Sequence, residues 1–214
     1  MASGQEKYCS KGLPKYKKIR SNKELEIKWS EYEDKWADVK RSARTTISRE
    51  GAGKYPTDSW KKKILLAEHS PIRKIHFCWK WTDLMYWVSV HFVRHKFGVE
   101  WWCTTQRDDR TKDELSRDEK PQGAFVELEG DADAQALINI SRRRLCTQAS
   151  TDTRQAWQAV KDNVREKDPI MASVMVKECI YRGFCPEMYP CGYAETEAYQ
   201  KELAEYRNVY LENN

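Results

Sequence analysis

The 214-residue sequence contains no long apolar run and has no strong excess of one charge. No stretch approaches the roughly eighteen consecutive apolar residues that a membrane-spanning helix needs. The first residues, MASGQEKYCSKG, are polar and lack the apolar segment of a secretory signal. We therefore expect no membrane span, no membrane partner and no export.

The sequence has only a small excess of basic over acidic residues. Lysine and arginine number 38 against 33 aspartates and glutamates, a net charge of +5. This excess is weaker than the basic footprint of a dedicated nucleic-acid binder, so we expect no nucleic-acid partner. It is compatible with a small anionic ligand, such as a phosphate, held at a local basic site. Residues 1–21 are basic and poor in apolar side chains, which suits a flexible arm, and the length and the absence of repeats suit a single domain over residues 22–214.

The sequence lacks the Cys-x2-Cys spacing of common structural zinc sites. Its seven cysteines are an odd number, which in a chain that is not exported favours reduced thiols. Cys179, Cys185 and Cys191 are separated by five residues each and could supply three zinc ligands, with Cys146 or a histidine as the fourth. Ordinary thiols are the other interpretation, and we predict no metal.

Apolar periodicity predicts a mostly helical chain with little strand. Residues 75–81 alternate apolar and polar side chains, which indicates a half-buried strand, and 124–129 form a second short strand. Helical spacing with capping residues predicts helices over 22–44, after Thr57, over 84–96, from Asp131 to about 149, from Thr151 or Asp152, over 168–183 and over 196–212. The predicted fold class is therefore α+β.

His91, Arg94 and His95 fall on one face of the predicted helix over 84–96, at positions i, i+3 and i+4. Two histidines four apart can bind a metal, but the guanidinium on the same face would repel a cation. We favour an anion site. The alternative is that Arg94 and Lys96 are solvated and the histidines are satisfied core groups.

Two further segments carry groups that hydrogen-bond phosphates or a pyrimidine edge. The first is TTQRDDR, residues 104–110, which follows Trp101 and Trp102, whose rings could stack on a base. The second is the helical face formed by Asn139, Arg142, Arg143 and Cys146. In both segments the competing interpretation is a solvated charged surface.

Taken in order over about residues 39–190, these segments resemble the flavin-dependent thymidylate synthases. That family's signature is Arg-His-Arg, seven residues and then Ser. The corresponding runs in this sequence are Arg94-His95-Lys96 with Thr104 after seven residues, Glu68-His69-Ser70-Pro71, Ala43-Arg44-Thr45-Thr46, Asn139, and the stretch from Ala149 to Trp157 that contains Asp152 and Arg154.

The resemblance implies long helices around a small, twisted, mostly antiparallel sheet, and a homotetramer with shared active sites. It implies FAD-dependent methylation of a pyrimidine deoxynucleotide at C5, dUMP to dTMP or a related conversion, with methylenetetrahydrofolate as carbon donor and NADPH as reductant. The expected location is the cytoplasm of a bacterial or phage-infected cell. The alternatives are a flavin- or nucleotide-binding homologue that acts on another nucleotide such as dCMP or lacks methyl transfer, and a nucleic-acid-binding module.

The resemblance also implies roles for individual residues. Flavin-contacting positions are Thr46, Ser70, Arg94, His95, Lys96, Asn139 and Arg154. Nucleotide-contacting positions are His91, Arg94, Thr104, Thr105, Gln106, Arg107, Arg110 and Ser150. The catalytic set is Arg94, His95, Thr104 and Arg107.

Several positions depart from the family pattern. Lys96 replaces the second signature arginine, which keeps the charge but loses the planar fork. Ser150 stands where the family has a nucleotide-binding arginine. The separation from Arg94 to Asn139 is 139 − 94 = 45 residues, without the family's longer helical insert and its phosphate-binding arginine. Apart from Lys96, the changes lie at nucleotide contacts and predict a changed substrate or substitute cations.

Overall fold

The sheet is the centre of the fold. The computed structural model describes residue 25 and residues 27–111 and 115–210, so the predicted arm over residues 1–21 lies outside the described residues. Within these ranges the strands are β1 Ile27–Tyr32, β2 His76–Met85, β3 Val99–Cys103 and β4 Phe125–Asp133. They form one antiparallel sheet in the order β1-β2-β4-β3. The predicted α+β class is confirmed.

The helices surround this sheet, and most begin at a side-chain cap. Thr57, Asp133, Ser150 and Thr196 each accept a hydrogen bond from a backbone N–H of the first turn that follows. The helices of the described ranges are α1 Trp36–Thr45, α2 Asp58–Leu66, α3 Tyr86–Phe92, α4 Ala134–Arg144, α5 Thr151–Lys167, α6 Pro169–Ala172, α7 Glu178–Arg182 and α8 Glu197–Arg207, with short 3-10 helices at Ser70–Lys74, Arg117–Glu119 and Tyr193–Glu195. None of the helices in these ranges is long and apolar enough to cross a membrane.

Tryptophans fill the space between the sheet and α5. The period-two face of β2 is buried, as predicted, and Trp79 and Trp81 on it contact Trp157 of α5. Trp101 of β3 joins them, with its ring centroid 5.6 Å from that of Trp79. A Cβ on Gly130 would lie 2.6 Å from the Trp79 ring and 2.7 Å from the Trp101 ring. Glycine at this position of β4 therefore allows the two rings to meet across the strand.

The predicted helix over 22–44 is wrong over residues 27–32. Residues 27–32 form strand β1, which pairs with β2 through partners such as Ser30 and Trp79, and only the later part is helix α1. The phenol of Tyr32 donates to the Asp168 carboxylate at 2.7 Å, and the Trp36 indole donates to the same oxygen at 2.7 Å. The aromatic spacing fits a helix, but pairing with a distant strand and contact with Asp168 decide the conformation.

The predicted helix over 84–96 is also too long. Helix α3 ends at Phe92, and residues 99–103, which were not predicted as a strand, form the edge strand β3. His91, Arg94 and His95 therefore do not share a helical face. Gly98, with φ +71°, lies in the turn between α3 and β3.

The other predicted helix boundaries lie closer to the observed ones. Asp131 lies within β4, so Asp133 rather than Asp131 caps α4, which ends at Arg144. The single helix predicted over 168–183 is divided into α6 and α7, although Asp168 caps it and Gly183 ends it in the left-handed conformation, as expected.

Lys62 is a buried cation within this core. It is 1% exposed, and its Nζ donates to the Ser173 hydroxyl at 2.7 Å and to the Ser173 carbonyl at 3.3 Å. Burial, with a smaller contribution from Lys161, lowers the pKa of Lys62 from 10.5 to about 8. A shift of this size corresponds to about 3 kcal/mol against the charged form.

We therefore expect Lys62→Met to stabilise the protein at neutral pH by about 2 kcal/mol, since about 1 kcal/mol of hydrogen bonding is lost with the amine. The unfolded chain binds more protons than the folded one between the two pKa values, so wild-type stability rises with pH across that window. The gain should shrink from about pH 8 to about pH 10.5. Urea titrations at several pH values measure it, with exposed Lys63→Met on the same helix as control; a pH-independent gain would contradict the assignment.

Candidate functional site: a cationic cluster at the end of α4

The turn over residues 93–98 is fixed against the start of α4. The backbone N–H of Asp133 donates to the Gly98 carbonyl at 2.8 Å, while the Asp133 side chain caps α4 through Ala136 N. A Cβ on Gly98 would lie 2.7 Å from the Asp133 carboxylate oxygens. The turn is thereby held close to α4, and it presents Arg94 and Lys96 at the surface.

Arg144, the last residue of α4, connects the two histidines. Its Nε donates to His95 Nε2 at 2.9 Å, and its Nη2 donates to the His91 carbonyl at 2.6 Å. A guanidinium has no acceptor, so His95 Nε2 must carry a lone pair and the neutral ring carries its proton on Nδ1. The Trp101 indole donates to the His95 carbonyl at 3.0 Å and fixes the other side of the residue. Sequence reasoning missed Arg144 because it lies outside the predicted basic face of α4.

Two hydroxyl groups extend this network to α5. His91 Nδ1 lies 2.9 Å from Thr153 Oγ1, which lies 2.7 Å from Ser150 Oγ. Ser150 also caps α5 by accepting from Thr153 N. The structure therefore brings together three residues predicted for the site, His91, His95 and Ser150, although they come from separate segments.

The cluster is strongly cationic. Burial, then Arg144 and Arg143, lower the pKa of His95 to about 4. Burial, then Arg144 and Arg94, lower the pKa of His91. In the described part of the chain, neither Arg94 nor Arg144 forms an ion pair with a carboxylate, whereas Arg143 lies 3.7 Å from Glu187. Both histidines are thus held neutral beside guanidinium groups, and an anion would complete the electrostatics.

On the neighbouring face of α4, the polar side chains are bound to other residues of the same chain. Glu68 accepts from Arg142 and, at 2.5 Å, from Gln135 Nε2. Arg142 also lies over the Tyr181 ring, 3.4 Å from its centroid, and donates to Asn139 Oδ1 at 3.2 Å. The expected solvated or ligand-binding basic face is therefore wrong for Arg142, which has a structural ion pair. Asn139 remains exposed.

The other predicted flavin positions lie on separate elements of the fold. Ser70 is exposed at the start of the 3-10 helix, and Thr46 is the exposed residue that ends α1, its hydroxyl donating to the Ala43 carbonyl at 2.7 Å. Arg154 of α5 donates to Thr151 Oγ1 at 3.2 Å. Its buried Nε has no hydrogen-bond partner among the described residues.

The residues from Thr104 to Arg110 lie at the other end of β3. In that strand Val99 pairs with Ala132 and Cys103 with Leu128, and five residues of strand span about 17 Å. Within one chain, Thr104 and Arg107 of the predicted catalytic set therefore lie at the end of β3 that is remote from the Arg94-His95-Lys96 turn. Thr104, Thr105 and Gln106 instead line an open groove of about 580 Å³ that also includes Phe125.

Both arginines of that segment are already paired. Arg107 forms a two-pronged contact with Asp109, at 2.8 and 2.7 Å, and Arg110 lies 3.6 Å from the same carboxylate. Trp101 is partly buried and its ring packs against the core rings of Trp79 and Trp81, whereas Trp102, the other tryptophan expected to stack on a base, is 53% exposed.

The cysteines of the zinc interpretation can be compared with the side-chain geometry. Over residues 27–111 and 115–210, no three histidine, cysteine or acidic side chains are arranged to hold a metal ion. The zinc interpretation of Cys179, Cys185 and Cys191 therefore has no support from the geometry.

Comparison with known proteins identifies the fold. No family model matches the sequence, and no curated protein sequence matches it. Solved structures do. The flavin-dependent thymidylate synthase ThyX from Helicobacter pylori, complexed with FAD and dUMP, superposes with a TM-score of 0.54 at 13% identity, covering 72% of this chain and 100% of that chain. A second structure of ThyX from Helicobacter pylori with FAD and dUMP gives 0.54 at 12%, covering 72% and 99%.

A third structure is that of a UMP/dUMP methylase, PolB from Streptomyces cacaoi, bound with 5-Br dUMP. It superposes with a TM-score of 0.53 at 12% identity, covering 75% of this chain and 94% of that chain. The predicted flavin-dependent thymidylate synthase-like fold is confirmed by these likenesses.

Proposed function

We propose that this chain methylates a pyrimidine deoxynucleotide at C5, dUMP to dTMP or a related conversion, with FAD, NADPH and methylenetetrahydrofolate. The observation that carries the proposal is the cluster of Arg94, Arg143 and Arg144 around two neutral histidines, on a fold whose solved examples bind FAD and dUMP. Arg144 is partly buried and, like exposed Arg94, has no carboxylate partner among the described residues; this suits a phosphate, because charge-assisted hydrogen bonds from guanidinium groups to phosphate are strong and two-pronged.

The donors present fit a flavin. The Nδ1–H of neutral His95 and the exposed cations of Arg94 and Lys96 match a ligand with a pyrophosphate and an electron-rich ring edge. When bound, FAD supplies the hydride chemistry, and the protein orients the reactants and tunes the local charge. The residues that would hold it are Thr46, Ser70, Arg94, His95, Lys96, Asn139 and Arg154.

The nucleotide would contact His91, Arg94 and Ser150 at this cluster. Ser150 cannot supply the charge of the arginine it replaces, but Arg144 lies in the same network and can take that role. The other predicted nucleotide contacts lie at the far end of β3, too far from this cluster to contact the same nucleotide within one chain; they are Thr104, Thr105, Gln106, Arg107 and Arg110. Their participation requires a site completed by another subunit, which is the arrangement expected of a homotetramer with shared active sites. In that arrangement Arg94, His95, Thr104 and Arg107 form the catalytic set.

One observation favours the second candidate, a homologue that acts on a different nucleotide such as dCMP or has lost methyl transfer. Both Arg107 and Arg110 contact Asp109, so their charges are offset before any nucleotide arrives. A base carrying an exocyclic amine could interact with that carboxylate, which uracil would not favour.

The flavin part is tested by titrating the purified protein with FAD. We expect about one FAD per subunit, and for Arg94→Ala an affinity at least about tenfold weaker with an unchanged circular dichroism spectrum, since one charge-assisted contact contributes about 1.5–3 kcal/mol. Arg41→Ala, on α1 and paired with Asp38, is the control and should bind as wild type. A wild-type protein that takes up no FAD contradicts the proposal.

A further inference from the structure

Four of the described cysteines border one small cavity. Cys146 follows α4, Cys179 lies in α7, and Cys185 and Cys191 lie in the segment after α7. The cavity has a volume of about 10 Å³, about the room needed for one water molecule. These thiols are therefore gathered from three parts of the chain, and neither the flavin nor the nucleotide proposal uses them.

The segment over residues 183–192 lies against the end of α4. It is bracketed by Gly183 and Gly192, with φ +79° and +81°. Gln148 Nε2 donates to the Tyr189 carbonyl at 2.7 Å, and Glu187 lies 3.7 Å from Arg143. These contacts hold the segment near Cys146, which comes two residues after Arg144 in the chain.

The four thiols differ in accessibility and chemistry. Cys191 is exposed, and its pKa is lowered by hydrogen bonds from the Thr147 hydroxyl and from the Tyr193 backbone N–H. Cys179 is buried, and burial raises its pKa. The thiolate is the reactive form, so an oxidant from solution meets Cys191 first. Thr147, the contact of Cys191, is the residue next to Cys146.

We propose that Cys191 is an oxidant-sensitive modification site and that Cys146 is its resolving thiol. The Cys191 thiolate attacks a hydroperoxide, the O–O bond breaks, and Cys191 sulfenic acid and hydroxide or alkoxide form. The Cys146 sulfur then attacks the Cys191 sulfur, and a Cys146–Cys191 disulfide forms with the release of water. Two electrons pass from the two thiols to one hydroperoxide. The bond would tie the segment over 183–192 to the end of α4, beside Arg144.

Peptide mapping tests this directly. Trypsin separates Cys146 (residues 145–154), Cys179 (178–182) and the pair Cys185 and Cys191 (183–201). The folded protein is treated with hydrogen peroxide, blocked with an alkylating agent and digested without reductant. We expect a link between the first and third peptides that persists in Cys185→Ser, disappears in Cys191→Ser and is reversed by dithiothreitol.

Cys103 supplies the matched control. It is also exposed but lies in β3, outside the cavity, and burial raises its pKa. Cys103→Ser should form the disulfide as fast as wild type. In Cys146→Ser, Cys191 should stop at sulfenic acid, which a dimedone adduct reports. A link that survives in Cys191→Ser, a link to the Cys179 peptide, or oxidation of Cys103 ahead of Cys191 would overturn the proposal.

Discussion

Arg144→Ala is expected to weaken dUMP binding about 100-fold while the protein remains folded. Arg144 supplies positive charge at the cluster, and its two hydrogen bonds hold His95 Nε2 and the His91 carbonyl. The loss of a charge-assisted contact at 1.5–3 kcal/mol accounts for about ten- to 100-fold, and the loss of positioning places the effect at the upper end. Isothermal titration with dUMP on the flavin-loaded protein measures it.

A second measurement distinguishes two effects of Arg144→Ala, the loss of the contacts that position His95 and the loss of the Arg144 charge. Arg144 is, after burial, the largest cause of the lowered pKa of His95, so that pKa should rise toward its ordinary value in Arg144→Ala, as followed by histidine NMR signals. Arg144→Lys keeps the charge but lacks the planar fork, so it should restore only part of the affinity. Arg165→Ala, an exposed arginine paired with Asp162 on α5, is the control. Unchanged dUMP affinity together with an unshifted His95 titration would contradict the role of Arg144.

Asp168→Ala is expected to lower the free energy of unfolding by about 4 kcal/mol. The carboxylate is 5% exposed and accepts from the Tyr32 phenol, the Trp36 indole and the Met171 backbone N–H, at 2.7, 2.7 and 2.9 Å. Alanine would leave three donors without an acceptor, each costing about 1–3 kcal/mol before the surroundings relax. Asp168 thus joins β1 and α1 to α6.

Urea unfolding at neutral pH checks this, with the midpoint and slope recorded for wild type and variant. Asp162→Ala removes a partly exposed carboxylate from the neighbouring helix α5 and should cost less than about 1 kcal/mol. Asp168→Asn, which keeps an acceptor but loses the charge, should fall between the two. An Asp168→Ala protein as stable as Asp162→Ala would show that the shared contacts contribute little.

The parts of the fold that local signals control could be predicted from the sequence. Strand β2 alternates from His76 to Trp81 because one face is buried, and Thr57, Asp168 and Gly183 mark helix ends through their own chemistry. Strand β1 could not be found in this way. Its aromatic residues happen to follow helical spacing, and its conformation depends on pairing with β2, whose residues lie about fifty positions away.

The candidate site, like the fold, could be predicted from the sequence only in part. His91, His95 and Ser150 were identified from family-like motifs, and the structure brings them together through Thr153 and Arg144. Arg144 carries no motif of its own, and its partner His95 is 49 residues away in sequence. The separation of Thr104 from the cluster follows from strand β3, which a polar and aromatic run did not indicate.

The central claim is that this cluster supports flavin-dependent chemistry at C5 of a pyrimidine deoxynucleotide. The most direct measurement is tritium release from C5-labelled dUMP, with C5-labelled dCMP in parallel, in the presence of FAD, methylenetetrahydrofolate and NADPH. We predict release from one of the two that depends on FAD and is lost in Arg94→Ala. An FAD-loaded wild-type protein that releases no tritium from either nucleotide would contradict the claim.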